Sequence, residues 1–256
     1  MRKIHLKAKV IANQKLSSSH YRLVLDEPSI ARKAKPGQFV HIQINEGIDP
    51  YFRRPFSVAR VQKHVEILYA VVGRGTGLMS RKRKGDVIDL LGPLGNHFRM
   101  PPAGTENVFL IAGAIGIAPF IMLSDALKGK GYAVEVLYGA RDKSQIFDMK
   151  AFRQNGCAVH YATEDGSRGA KGRIPALYSR VGTDSGKTYL YACGPKPMLS
   201  SVLAFARKHH FRGQISAEEV MACGIGVCLG CAIQTKAGYK TVCNDGPVFD
   251  FNEFNH

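Results

Sequence analysis

Over the first hundred residues, apolar side chains alternate with polar ones in short runs broken by turn residues. Ile4, Leu6, Ala8 and Val10 stand two apart, and further strand-like runs cover Tyr21–Leu25, Phe39–Ile44 after a Lys35-Pro36-Gly37 turn, Pro55–Val61, Val65–Val72 and Asp86–Leu91. A period of two puts one side of each run on a core. Many short strands without helices between them predict an antiparallel barrel or sandwich. One helix is predicted in this stretch, from about Gly75 through Met79 to Arg83.

After Pro101-Pro102 the rhythm changes. Apolar strands at Val108–Ala112, Ala133–Gly139, Ala158–Thr163 and Thr188–Cys193 alternate with helical stretches at Pro119–Leu127, Met149–Asn155, Ile174–Arg180 and Pro197–His210. That alternation predicts parallel βαβ units, with ligands at the carboxyl ends of the strands. A Pro-Pro-Ala-Gly-Thr linker at 101–105 marks the boundary with the first part.

The last segment carries four of the six cysteines, Cys223, Cys228, Cys231 and Cys243. C-x4-C-x2-C followed by a distant fourth thiol is the spacing of a plant-type [2Fe–2S] site. Gly224, Gly226 and Gly230 fill the gaps, where a backbone wrapping an inorganic core needs φ values closed to other residues. A zinc site would more usually show two short cysteine pairs, and a disulfide knot belongs to a small secreted chain.

Composition narrows the classes. The chain is 45% hydrophobic and 22% charged, the balance of a soluble globular protein, and 256 residues suffice for two domains and a small module. No apolar run approaches the roughly 20 residues that span a bilayer. Met1-Arg2-Lys3 leads into an alternating strand rather than a leader's continuous apolar core, which points to the reducing cytoplasm, where thiols stay free for metal. The formal charge of +16 raises a nucleic-acid reading, such as a basic zinc protein. However, residues 1–100 hold 19 Lys/Arg against 7 Asp/Glu, residues 101–212 hold 15 against 8, and the cysteine segment holds 2 against 5. Only Arg81-Lys82-Arg83-Lys84 is dense, with no interleaved aromatics to stack bases. Anionic cofactors account for part of the excess.

Three further strings suit such cofactors. Arg54-Pro55-Phe56-Ser57 offers a cation for a pyrophosphate, an aromatic beside a flavin and a hydroxyl toward its ring. Gly73-Arg74-Gly75-Thr76-Gly77 leads into the predicted helix, whose first N–H groups are a phosphate site, and Gly92-Pro93-Leu94-Gly95 is expected to turn tightly over the cofactor. In the second part, Gly113-Ala114-Ile115-Gly116-Ile117-Ala118-Pro119 follows a strand and precedes a helix, as a dinucleotide loop does. Cys193-Gly194-Pro195 ends the last strand of the alternation, where a thiol would face a nicotinamide.

Taken together, these strings resemble the ferredoxin–NADP reductase superfamily. With Glu164-Asp165-Gly166-Ser167, Lys171-Gly172 and the ending Met-Ala-Cys-Gly-Ile-Gly-x-Cys-Leu-Gly-Cys…Val-Cys-Asn-Asp-Gly-Pro-Val-Phe, the chain looks like the electron-transfer subunits of NAD-dependent dihydroorotate dehydrogenases. The resemblance implies an FAD-binding antiparallel β-barrel at 1–102, a parallel-sheet NAD-binding α/β domain at 103–212 and a [2Fe–2S] module at 213–256. It implies FAD at Arg54, Pro55, Phe56, Ser57, Leu68, Tyr69, Ala70, Gly75 and Thr76. NAD is expected at Gly113, Gly116, Pro119, Cys193, Gly194 and Pro195, with Ser57 and Cys193 at the reacting atoms, and the cluster at the four cysteines. The implied partner is an FMN-containing catalytic dihydroorotate dehydrogenase subunit in a hetero-oligomer such as a heterotetramer, with no nucleic acid and no membrane. A related reductase serving a ferredoxin transhydrogenase, sulfide dehydrogenase or sulfite reductase is the alternative. Three positions depart from the relatives' pattern: Ala114 where glycine is usual, Phe56 in place of tyrosine, and His97 where a small residue is common.

Overall fold

The computed structural model describes residues 4–45, 47, 49–147 and 149–254, so the Met1-Arg2-Lys3 opening lies outside the described residues. Six strands, β1 (Ile4–Lys15), β2 (His20–Asp26), β3 (Phe39–Ile42), β4 (Arg54–Val61), β5 (Val65–Ala70) and β6 (Val87–Leu94), close into a barrel in the order β1-β2-β5-β4-β3-β6. Every pairing is antiparallel. Alternation fills the interior: Ala8 and Val10, Leu23 and Leu25, Val40 and Ile42, and Ile88 and Leu90 form one buried cluster. Two short helices decorate the barrel. The first, α1 (Pro28–Lys33), was not foreseen; Glu27 caps it, accepting from the Ser29 N–H at 2.9 Å, and Pro28 occupies its first turn. The second, α2 (Arg74–Met79), stops short of the expected Arg83 because Ser80 caps it and the chain turns through Gly85 at φ +94°.

The second part is a seven-stranded sheet built from β7 (Asn107–Gly113), α3 (Ala118–Lys128), β8 (Ala133–Ala140), α4 (Lys150–Gln154), β9 (Ala158–Thr163), β10 (Ala170–Lys171), β11 (Thr188–Cys193), α5 (Lys196–Lys208) and β12 (Arg212–Ser216). Its order is β10-β9-β8-β7-β11-β12, parallel throughout, and β15 (Val248–Asp250) adds antiparallel to β12 at the edge. Leu199, Val202, Leu203 and Ala206 of α5, at spacings of three and four, form its buried face. The expected helix at 174–180 is a tight 3₁₀ stretch. Pro175 follows its first residue, and Ile174 sits so close to the sheet that a Cβ on Gly139 would lie 2.9 Å from it.

Between β12 and β15 the chain leaves the sheet, forms the cysteine loop, and returns through a two-stranded hairpin, β13 (Ala232–Thr235) and β14 (Gly238–Thr241). Packing joins the three parts. Helix α3 lies on the barrel, and Ala59 and Leu68 share a buried cluster with Ile117, Ala118 and Ile121. Phe39 and Leu94 share another with Cys231, Val242, Cys243 and Phe249.

Candidate functional site

The closed barrel splays along one seam. The β4–β5 ladder pairs Val58 with Ile67, Arg60 with Glu66 and Val61 with Val65, and goes no further. Arg54–Ser57 therefore pair only with β3, and Leu68–Ala70 only with β2, so two strand edges with backbone donors and acceptors diverge from each other. A planar, hydrogen-bonding ring system fits such a gap. At its end, Gly75 closes on Arg54: a Cβ there would lie 3.8 Å from the Arg54 Nε and 3.6 Å from Pro50. Thr76 holds the turn through its hydroxyl, which accepts the Val72 N–H at 2.9 Å and the Gly73 N–H at 3.2 Å. Arg54 donates to the Phe52 carbonyl at 2.8 Å and the Arg53 carbonyl at 3.2 Å, so its guanidinium is preset beside the gap. Leu68 and Tyr69 have buried side chains, with the Tyr69 hydroxyl donating to Asn13 at 3.0 Å; they present backbone rather than side chain to the seam. Phe56 meets Tyr69 edge-on at 5.9 Å, and Ser57 is half-buried.

The Gly92-Pro93-Leu94-Gly95 string does not close over that seam. Gly92–Leu94 finish β6, and the turn at Gly95 (φ +74°) packs on the other side, where a Cβ would lie 2.5 Å from Pro247. Asn96 completes the joint by donating to the carbonyls of Asp245 and Val248, each at 2.8 Å. The string thus buttresses the cysteine segment, a role that only its partner's location reveals.

The glycine loops of the second part meet at the sheet's switch point. Strands β7 and β11 are parallel neighbours, Ala112 opposite Cys193, with β8 leading away on one side and β12 on the other. Ligands of open α/β sheets sit in the crevice at such a point. A Cβ on Gly116 would lie 2.3 Å from the Cys193 carbonyl oxygen, and one on Gly194 3.0 Å from the Gly113 nitrogen. Gly113, Gly116, Cys193, Gly194 and Pro195 are therefore one packed unit, with buried Pro119 in the first turn of α3 behind it. Burial pushes the Cys193 thiol up to about 12, against the pull of a Ser216 hydrogen bond, so it is a neutral group rather than a thiolate.

The four cysteines converge as two pairs. Cys223 and Cys228 sit close enough for their side chains to influence each other, as do Cys243 and Cys231. Backbone N–H groups face the sulfurs: Gly226 donates to Cys243 at 3.1 Å, Ile225 to Cys223 at 3.4 Å and Cys243 to Cys231 at 3.4 Å. Among the described residues no three metal-ligating side chains close on a single ion position. Two facing thiol pairs in an N–H-lined loop are what a cluster of two irons requires, each iron taking two thiolates. Burial would raise Cys223, but the N–H groups of Ile225 and Cys228 outweigh it and hold this thiol down at about 6.

Residues 218–255 match the iron–sulfur cluster binding domain of dihydroorotate dehydrogenase B, and residues 110–204 match an oxidoreductase NAD-binding domain. The electron transfer subunit of dihydroorotate dehydrogenase B (NAD(+)) from Desulforamulus reducens is 39% identical over 94% of this chain and 95% of its own length. Its counterpart from Geobacillus thermodenitrificans is 37% identical over 95% and 96%. The chain belongs to the family of dihydroorotate dehydrogenase B electron-transfer subunits. A solved NADH-dependent reduced ferredoxin–NADP oxidoreductase shares the fold at a TM-score of 0.86 and 28% identity, over 96% of this chain and 88% of that one. A ferredoxin reductase of carbazole 1,9a-dioxygenase does so at 0.71 and 21% identity, over 82% and 67%.

For a member of the dihydroorotate dehydrogenase B electron-transfer family, Ala114 is a departure with a visible cause for the usual glycine. Its φ is +48°, the left-handed region that L-residues enter at a cost. His97 stays at the surface beside Lys35. The cysteine loop exposes an apolar rim: Val220 is 83% exposed, Val227 75% and Leu229 64%, whereas Ile225 is half-buried. One residue was missed from the sequence. Glu218 sits close enough to Cys193 to influence it; crowding around its carboxyl, with the charge of Glu219, raises it. A Glu-Glu pair just ahead of the first cysteine was the signal available. No described helix is long and apolar enough to cross a membrane.

Proposed function

We propose that the protein is the electron-transfer subunit of an NAD-dependent dihydroorotate dehydrogenase, joining a catalytic partner subunit to NAD+ through a [2Fe–2S] cluster and FAD in de novo pyrimidine synthesis. FAD supplies the exchange between single electrons and hydride that neither a cluster nor a nicotinamide provides alone. The observation that carries this reading is the segment from Ser216 to Gly224. It begins with Ser216 and Glu218 beside Cys193 in the β7–β11 crevice, and ends with Gly224 against His41 of β3, the strand that pairs with the Arg54–Ser57 edge. Three candidate cofactor sites thereby abut within one short stretch of chain.

In this reading Cys223, Cys228, Cys231 and Cys243 hold the cluster. Arg54 takes the flavin pyrophosphate, with Gly75 and Thr76 beside it. Pro55, Phe56 and Ser57, with the backbone of Leu68, Tyr69 and Ala70, frame the ring. Gly113, Gly116, Pro119, Gly194 and Pro195 receive the dinucleotide, and the neutral thiol of Cys193 and the hydroxyl of Ser57 flank the reacting atoms. Residues 1–102, 103–212 and 213–256 divide these duties. The partner is an FMN-containing catalytic subunit in a cytoplasmic heterotetramer, docked on the Val227–Leu229 rim, because exposed apolar residues around a cluster that hands on electrons mark a covered surface. Cys228→Ser tests the whole: the variant should lose the cluster, keep FAD and NADH-to-dye activity, and fail to couple dihydroorotate oxidation to NAD+. Coupling at the normal rate would defeat the proposal.

A further inference from the structure

His41 is fully buried (0% exposed), and neither ring nitrogen has a hydrogen-bond partner in this structure. Buried polar groups are satisfied in folded proteins, so an orphan of this kind marks a place where something else engages it. The carbonyls of Arg53 and Cys223 face the ring, short of hydrogen-bond geometry. The approach from the cysteine loop is closer than any side chain would allow: a Cβ on Gly224 would lie 2.3 Å from the His41 Nδ1. Gly224 also takes φ +68°, so glycine is required there twice over.

The rest of β3 shows what the contact is for. Val40 and Ile42 point into the barrel core, whereas Phe39 belongs to the buried cluster that contains Cys231 and Cys243. Phe39 and His41, two apart, share the opposite face of the strand. One of them thus stands by the Cys231–Cys243 pair and the other by Cys223. Across the ladder, Phe39 opposes Ser57 and His41 opposes Pro55, both in the flavin motif. The adjoining Arg53 is itself locked, ion-paired with Asp89 at 2.5 Å and donating to the Asp89 carbonyl at 3.2 Å. An imidazole ring carries at least one N–H in either protonation state.

We propose that His41 is the positioning residue that fixes the cluster loop against the flavin strand, its ring N–H donating to the Cys223 carbonyl when the four thiolates are ligated. This rests on the reading of the cysteines as a [2Fe–2S] site and goes beyond it by assigning the outer support to a barrel residue 182 positions away in sequence. Groups of that kind commonly carry about 10- to 100-fold in metal affinity or activity.

The test compares His41→Leu, which fills the space without a donor, with His41→Gln, which restores an N–H. FAD stoichiometry reports the fold. After reconstitution, His41→Leu should retain about tenfold less cluster on dialysis against a chelator. What cluster remains should show a changed electron paramagnetic resonance spectrum and a shifted midpoint potential. His41→Gln should recover most of the spectrum and the retention. A wild-type spectrum, potential and retention in His41→Leu would overturn the proposal. If His41→Leu fails to bind FAD, Gly224→Ala probes the same contact from the loop, and an unaltered spectrum there would overturn it equally. Absence of a [2Fe–2S] signal from the wild-type protein would instead refute the cluster reading itself.

Discussion

Replacing Gly116 with alanine tests the dinucleotide crevice through a displacement that can be worked from the structure. The added Cβ would sit 2.3 Å from the Cys193 carbonyl oxygen, 2.6 Å from its carbon and 2.8 Å from the Gly194 Cα. All three atoms are backbone, so no side chain can swing away. A carbon and a carbonyl oxygen approach to about 3.3 Å at closest. The loop after β7 and the turn after β11 must therefore separate by about 1 Å, at an overpacking cost of about 1–3 kcal/mol. Misplacement of about 1 Å around reacting atoms costs about 100-fold in rate. Anaerobic stopped-flow mixing with NADH should show flavin reduction slowed to that extent while the FAD absorbance and stoichiometry stay normal, because the added Cβ meets the Cys193–Gly194 backbone and no residue of β4 or β5. Gly129→Ala is the control. There the nearest atom to a new Cβ is the Asp125 carbonyl at an ordinary 3.4 Å, and φ is −60°. Flavin reduction in Gly116→Ala at the wild-type rate and the wild-type NADH saturation would show that the dinucleotide does not use this crevice.

Other outcomes follow from single observations. Ala114→Gly removes a left-handed strain of roughly 1–2 kcal/mol and gives back part of it as unfolded-chain entropy, so the apoprotein should melt about 2 °C higher in calorimetry. In cluster-free protein, iodoacetamide labelling of Cys223 should rise with pH through about 6 and level off, since the thiolate reacts and dominates above that value. Cys243, whose thiol burial and its Cys231 neighbour push up to about 12, should stay unlabelled over the same range. Val227→Lys puts a charge on an exposed rim residue and should leave FAD and cluster spectra intact while abolishing co-elution with the catalytic subunit in size-exclusion chromatography.

The barrel, the parallel sheet and the cysteine module were legible because each rests on a local period or spacing. Alternation gave β1 to β5 to within a few residues, and C-x4-C-x2-C needs no tertiary context. What escaped reading depended on partners distant in sequence. Gly92-Pro93-Leu94-Gly95 looks like a turn over a cofactor until Pro247 and Asn96 show that it buttresses the cysteine segment. Ile174–Arg180 has helical spacing, yet Pro175 and the sheet's surface at Gly139 hold it as 3₁₀. Leu68 and Tyr69 lie on a strand as the alternation predicts, but which of their atoms faces the seam depends on α3 covering one and Asn13 holding the other. Nothing in the Phe39–Ile42 run marks His41 as more than the polar member of an alternation.

The placement of β15 explains why the cysteine segment can serve as a fixed relay rather than a tethered one. Its chain leaves the sheet at β12 and returns to pair antiparallel with β12 itself, Ile215 opposite Phe249 and Ser216 opposite Val248. Both ends of the loop are thus clamped to the same strand, and a second clamp joins it to the barrel through Asn96, which also accepts the Val248 N–H at 2.8 Å. Cys231 and Cys243 lie buried on the clamped side, whereas Cys228 is exposed on the rim with Val227 and Leu229. One thiol pair therefore looks inward to the barrel and sheet, and the other reaches the surface. A group held between them would stand between strand β3 of the barrel and the exposed rim, fixed to the rest of the fold by the clamps at β12 and Asn96.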